Sequence, residues 1–297
     1  MNAKDAIKMH QILGFSKIFN TVNPAPKGNK NKYVFFPGCS LPSYNPAVVG
    51  KVLDHLQERL GMEVGSMLKC CGKPTLKMEA GSSITCCGKL NQSIDKKGKF
   101  TDRFSQVEKE LDNIGAEIII VTCQSCLEIF ERHGKRKVIS LWELLPEIGL
   151  PKDKVGIGEG SDVIFNIHDS CSGRDKKNVH EGIRWILKEL GYKTEELRKS
   201  RENTMCCGLS GLAVHGNYDI SKKIMKKRAG ESTTGHMISY CAACRESMET
   251  GGVDSLHILD LVFGDTYKKD GTENRNMGIL KQWDNRFKSK IEFDKRK

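Results

Sequence analysis

Short runs of β-branched and aromatic residues, each leading into a cysteine, stand out from the polar background of the chain. "YVFFPGC" and "DVIFNIHDSC" carry such a run into the single cysteines Cys39 and Cys171, while "EIIIVTC" and "HMISYC" carry one into Cys123 and Cys241. Runs of this composition bounded by turn residues predict strands. After the last two, "SCLEIFERH" and "ACRESMET" read as helix starts, followed by a closing element, "VISLWELL" in one half and "SLHILDLVF" in the other. Between them, "VHEGIRWILKELGY" sets Ile183, Ile186, Leu187 and Leu190 on one helical face and stops at Gly191. Near the start, Ile7, Ile12, Leu13, Phe15, Ile18, Phe19 and Val22 fall mostly on one side of an expected helix. Strands alternating with helices predict an α/β fold with parallel layers, in which ligands sit at the carboxyl ends of strands beside helix N-termini. Cysteines at those ends converge, and the positive end of a helix favours thiolate over thiol.

With 297 residues the chain is long enough for two medium domains. No apolar run approaches the length of a bilayer span, so no transmembrane segment is expected. The N-terminal stretch has no secretory pattern, which predicts a cytoplasmic location; its amphipathic face is expected to pack on the protein's own body or on a partner, with peripheral contact with a membrane surface as the alternative. In that reducing compartment, 12 cysteines point to metal or redox chemistry rather than disulfide staples. The net charge of +11 is spread along the chain without an aromatic-interleaved RNA motif or zinc-finger spacing, so nucleic acid is not an expected partner. An acidic partner or anionic substrate would be steered toward such a surface.

The cysteines repeat. The second half reads Cys171, 34 residues, Cys206-Cys207-Gly208, 33 residues, Cys241-Ala-Ala-Cys244. The first reads Cys39, 30 residues, Cys70-Cys71-Gly72, 51 residues, Cys123-Gln-Ser-Cys126. Adjacent cysteines point to opposite faces of an extended chain and are poorly placed to bond to each other. A tetrahedral zinc takes four ligands and an ordinary cubane four thiolates. A fifth sulfur per copy makes sense if the doublet serves different metal atoms of one cluster, with the glycine allowing close backbone approach.

Both copies resemble the cysteine-rich CCG domain found in the catalytic B or D subunits of heterodisulfide reductase and in related iron-sulfur subunits of anaerobic dehydrogenases. The likeness is carried by "FFPGCSLPSYNP", "CCGKP", "HDSC", "RENTMCCGLSG" and "YCAACRES", and runs from about Tyr33 to Phe263. It implies two tandem, pseudo-symmetric domains, each a small, mostly parallel sheet with flanking helices. It also implies a noncubane [4Fe-4S] cluster, one or two per chain, held by five cysteines of which one bridges. Carried over, the second site is Cys171, Cys206, Cys207, Cys241 and Cys244, and the first is Cys39, Cys70, Cys71, Cys123 and Cys126. A further doublet, Cys86-Cys87-Gly88, fits the spacing to Cys123 as well as Cys70-Cys71 fits the spacing to Cys39, so two assignments stand for the first site. Cys70 and Cys71 are favoured by the trailing "GKPT".

The resemblance implies an oxidoreductase subunit of a larger complex. It would pass single electrons from a partner iron-sulfur or flavin protein to a disulfide or another small acceptor. Neither a G-x-G-x-x-G after a strand nor a ferredoxin cysteine run occurs in the chain, which fits an external electron donor. Thiolate sets also accept zinc, so structural zinc at one site, in a subunit that tethers redox partners, is the alternative. His168, three residues before Cys171, is the candidate proton donor for disulfide reduction; His215, His236 and His257 have no comparable placement. The expected organisation is an amphipathic extension over 1–30, domains over 31–155 and 156–265 joined within Leu150 to Asp162, and a basic tail over 266–297.

Overall fold

The computed structural model describes residues 13–27, 29–69, 99–209, 217–264 and 277–296. They fall into two compact units that divide between Ile139 and Ser140, the stretch from Met277 onward returning to the first. The architecture is α/β with mostly parallel sheets.

The first unit holds β1 (Thr21–Asn23), β2 (Tyr33–Phe36), β3 (Val64–Leu68), β4 (Ile118–Val121) and β5 (Lys137–Ser140), in the order β1-β3-β2-β4-β5. Central β2 runs parallel to β3 and β4, and edge strand β1 is antiparallel to β3. Among the helices that flank the sheet are α1 (Ser40–Tyr44), α2 (Pro46–Leu60), α3 (Lys99–Asn113) and α4 (Gln124–His133). The start of α2 is set locally, with Pro46 in the first turn and the Asn45 side chain accepting from Val48 N–H at 3.2 Å. The core is aromatic: Phe130 meets Phe36 edge-on at 5.2 Å and Phe104 at 5.5 Å between centroids. Each such buried ring contributes about 1.5–3 kcal/mol.

The second unit repeats the plan. It contains α5 (Leu141–Ile148), β6 (Ile164–His168), α6 (Lys177–Glu189), β7 (Lys193–Glu196), α7 (Tyr218–Ala229), β8 (His236–Ser239), α8 (Ala242–Gly251), β9 (Asp254–His257) and α9 (Ile258–Phe263). The sheet order β7-β6-β8-β9 matches β3-β2-β4-β5, and all its pairings are parallel. The apolar face read for α6 is buried at Ile183, Ile186, Leu187 and Leu190. Trp142 of α5 is fully buried, 6.0 Å from Tyr240 and 5.9 Å from His257 between ring centroids. A capping box starts α9: His257 Nδ1 accepts from Leu259 N–H and Asp260 accepts from His257 N–H.

The four cysteine-terminated strands form as read, and so do the helices after Cys123 and Cys241. Ile7 and Ile12 of the expected N-terminal helix lie outside the described residues; the rest of that expectation is corrected, since within 13–22 only 13–15 are helical and Val22 lies in β1. That strand is held by backbone pairing to β3 and by hydrogen bonds from Thr21 and Asn23 to Asp294. The basic C-terminal stretch, an extension in the sequence reading, forms α10 (Ile279–Asp294) within the first unit. Phe293 is buried there, while Asn285 and Ser289 donate to the carbonyls of Ser43, Tyr44 and Pro42 that α1 leaves open. Among the described residues no helix is long and apolar enough to cross a membrane.

Candidate metal centre

The parallel register delivers the cysteines to one edge of each sheet. β2 pairs with β4 as far as Phe36 beside Val121, and β6 with β8 as far as His168 beside Ser239. Cys39 and Cys171 follow three residues after the first partner of each pair, and Cys123 and Cys241 two after the second. Cys123 and Cys241 occupy the N-caps of α4 and α8, and Cys126 and Cys244 sit in the first turns of those helices. Sulfur is thereby held against orphan N–H groups and the positive end of the helix dipole.

In the second unit four sulfurs form a continuous chain. The Cys207 thiol is within hydrogen-bonding reach of those of Cys206 and Cys244, and Cys244 in turn of Cys241, with no disulfide joining them. The bond with Cys206, helped by burial and opposed by the bond with Cys244, pushes the Cys207 thiol up; bonds to Cys207 and Cys241, then burial, push Cys244 up. Cys241 moves the other way. The Cys244 thiol, then the N–H groups of Cys244 and Ala243 and the Ser170 hydroxyl, stabilise its thiolate against burial and lower it to about 7. One member of the chain is thus poised to ionise near neutrality, while its neighbours retain protons for a metal to displace. Cys171 opens a 3-10 turn at the same edge, directly after Ser170.

The doublet's glycine is required by geometry. Gly208 has φ +89°, and a Cβ there would lie 2.9 Å from the Ser221 carbonyl oxygen and 3.0 Å from Met225 Cγ of α7. Its carbonyl accepts from the Ser221 hydroxyl, and the Cys207 carbonyl accepts from Ser247 on α8. The doublet is thus clamped between two helices.

A buried polar network fixes the turns around this nest. Asp169, wholly inaccessible, takes a forked pair of bonds from Arg184 at 2.6 and 2.8 Å and one from Arg201 N–H at 2.7 Å. Burial opposes its ionisation, but Arg184 and the Arg201 amide outweigh that and hold its carboxyl below the ordinary range. Arg201 has φ +52°, a left-handed conformation disfavoured by about 1–2 kcal/mol, which the bond to Asp169 offsets. Thr204 ties the doublet loop to the strand end by donating to the Asp169 carbonyl at 2.9 Å, and Arg174 holds the Thr204 carbonyl through two bonds. The Tyr240 hydroxyl accepts from Ser170 N–H at 3.0 Å. His168 is fully buried; its pKa is lowered to about 3, first by burial and then by the charge of Arg228. A ring nitrogen of His168 and the sulfurs of Cys207 and Cys244 lie within 4.8 Å of one another.

In the first unit Cys39 and Cys126 are buried in one cluster with Phe36 and Phe130, and Cys123 packs against it. Gly38, at φ +78°, brings the Cys39 turn so close that an added Cβ would lie 3.2 Å from Cys123 Cβ and 3.4 Å from Cys126 Sγ. Thr122 donates to the Pro37 carbonyl at 2.9 Å and ties the two turns together. Cys70, Cys71, Cys86 and Cys87 lie outside the described residues. Sequence reasoning missed Asp169, Arg184, Thr204, Arg228 and Tyr240. The signal for Arg228 is its spacing from Met225 and Ala229, which marks the buried face of an otherwise lysine-rich helix.

The donor set of the second unit is chemically suited to a thiolate-bound metal: four thiols hydrogen-bonded in a chain, low solvent access and an unpaired buried imidazole nitrogen. The model of the CCG cysteine-rich domain matches residues 33–82, 75–131 and 165–249, together more than half of the chain. The two overlapping matches in the first half take one doublet each, Cys70-Cys71 and Cys86-Cys87. The chain is 21% identical over 238 residues to the D subunit of dihydromethanophenazine:CoB--CoM heterodisulfide reductase from Methanosarcina acetivorans, covering 75% of this chain and 54% of that one. The Methanosarcina barkeri counterpart is 22% identical over the same shares. EtfAB:quinone oxidoreductase of Syntrophomonas wolfei is 24% identical over 230 residues, 73% of this chain and 30% of that protein. The chain spans about half the length of the reductase subunits it matches.

Proposed function

Because the chain belongs to the CCG cysteine-rich domain family, we propose that it is an iron-sulfur electron-transfer subunit of an oxidoreductase. Cys171, Cys206, Cys207, Cys241 and Cys244 would hold a noncubane [4Fe-4S] cluster. Cys39, Cys123 and Cys126, with the Cys70-Cys71 doublet, would form the first-half site. When bound, the cluster supplies one-electron chemistry. Electrons would arrive from a partner iron-sulfur or flavin protein and leave to a disulfide or another small acceptor, in keeping with the names of the relatives.

The observation that carries this reading is the unbroken run of bonded sulfurs from Cys206 through Cys207 and Cys244 to Cys241. The doublet is thereby linked through Cys207 to the two cysteines at the start of α8. The surrounding residues have separate tasks. Asp169 and Arg184 set the position of the Cys171 turn, Thr204 and Arg174 that of the doublet loop, and Tyr240 holds Ser170. Gly208, Ser221 and Ser247 seal the inner side of the nest.

The zinc alternative draws on the meeting of His168, Cys207 and Cys244, which could serve a single ion. Anaerobic purification with iron, acid-labile sulfide and zinc assays, plus EPR of an oxidised, thiol-treated sample, separates the two. Iron with matching sulfide is expected. Stoichiometric zinc in a colourless protein would replace the electron-transfer reading with that of a zinc-stabilised tethering subunit.

A further inference from the structure

His168 ends β6 at the heart of the sulfur nest, and its two nitrogens face opposite situations. Nδ1 lies 3.0 Å from Nε of Arg228. A guanidinium has donors only and keeps its charge, so Nδ1 must be the acceptor, and the single proton of the neutral ring sits on Nε2. Arg228 is itself fully buried and cannot turn away: its other nitrogens donate to the Lys199 carbonyl at 2.8 Å, to Thr204 Oγ1 at 3.3 Å and to Glu231. Nε2 is buried without a hydrogen-bond partner in the protein. Such an orphan donor costs about 1–3 kcal/mol unless something accepts it.

This polarity argues against metal ligation. A ligating histidine almost always donates its second N–H to a carboxylate, carbonyl or water, which raises the basicity of the coordinating nitrogen. Here the second nitrogen receives a hydrogen bond from a cation, which leaves Nε2 as an N–H. The nearby acceptors of matching charge are sulfurs, those of Cys207 and Cys244 being within 4.8 Å of the ring. Resting on the iron-sulfur reading above, we infer that His168 donates an Nε2–H···S hydrogen bond to an anionic sulfur of the bound cluster, with Arg228 as the positioning residue that fixes the tautomer. This role stands in place of the proton donation that the location of His168 before Cys171 implies from sequence.

Hydrogen bonds to cluster sulfur stabilise the more negative, reduced state and raise the reduction potential. Losing one shifts the one-electron equilibrium constant about tenfold, equivalent to about 59 mV. The test uses the whole cluster-loaded chain carrying 15N-labelled histidine, examined by pulsed ENDOR in its paramagnetic state before and after exchange into D2O. An exchangeable proton coupled to the cluster is expected, with a 15N coupling too weak for a direct iron bond. His168→Phe should abolish that proton and lower the potential about tenfold in equilibrium constant. Arg228→Met should lower it in the same direction, and His168→Gln, which retains an N–H, should fall between. A strong 15N coupling, or equal potentials in wild type and folded variants, overturns the inference. Should the variants not fold, the wild-type spectrum alone decides. An intact cluster signal without the exchangeable proton sinks this inference only, whereas a chain that takes up no iron sinks the electron-transfer reading with it.

Discussion

At the end of β2 the residue paired with Val121 is Phe36; at the equivalent end of β6 the residue paired with Ser239 is His168. The next position on the first strand of each pair differs in the same sense, Pro37 against Asp169. Among the described residues the first unit sets Cys39 and Cys126 against aromatic carbon, Phe36 lying edge-on to Phe130, and a neutral hydrogen bond from Thr122 ties its two cysteine turns. The second surrounds its sulfurs with buried His168, Asp169 and Arg228, and with Arg184 at the margin. One backbone plan thus presents two electrostatic environments. Apolar walls disfavour negative charge on sulfur, whereas fixed donors accommodate it, so two otherwise equal centres would differ in potential.

The comparison can be broken most directly at the sulfurs. Cys244→Ser and Cys126→Ser change equivalent positions, and each should remove the whole iron and sulfide complement of its own half, read by metal assay and EPR. If Cys126→Ser leaves the metal content untouched, the first unit holds no cluster. Next comes the polar support. Asp169→Ala leaves the Arg184 fork and the Arg201 amide without their shared acceptor and should cost about 3–5 kcal/mol in urea unfolding of the second unit; a cost below about 1 kcal/mol would show the network to be passive.

Acid response should also divide the halves. Burial, and then the charge of Arg245, lower His257 to about 3, so the folded chain resists a proton that the unfolded chain accepts near 6.5. Stability from this group is intact above about pH 6.5 and declines as pH falls toward 3, by about 1.4 kcal/mol per pH unit. Ser140 caps α5 at the equivalent strand-helix junction of the first repeat and has no such titration. Melts of the metal-free chain from pH 7 to 4 should show the slope, and His257→Asn, which keeps a capping acceptor, should remove this residue's share and leave that of His168, which is lowered likewise to about 3. The smallest effect is expected of Thr122→Val, which removes the bond to Pro37 for about 1 kcal/mol.

The strands that carry cysteines were legible because each is an apolar run closed by turn residues, and the repeat of flanks and spacings exposed the tandem plan. β7 was not legible: its residues, Lys193-Thr-Glu-Glu196, are all exposed at a sheet edge, where charges deter further strand pairing and erase the hydrophobic signal. β1 was mistaken for helix because its three residues lie within a helix-like spacing of apolar positions. Neither could the contact of Arg228 with His168, 60 positions apart, be read from a helix dense in lysine. At α10 the buried face includes Asn285, Ser289 and Arg286, polar residues that suggest solvent until the α1 carbonyls they serve are seen.

Trp142 precedes the stretch from Leu150 to Asp162, yet it packs beside Tyr240, the residue whose hydroxyl steadies the Ser170 amide. Scissors placed in that linker would therefore strip an indole from the later half and loosen the turn bearing Cys171. The tandem halves are not interchangeable cassettes. A graft of the later half that respects the packing begins at Ser140 instead and leaves α10 behind with the first unit.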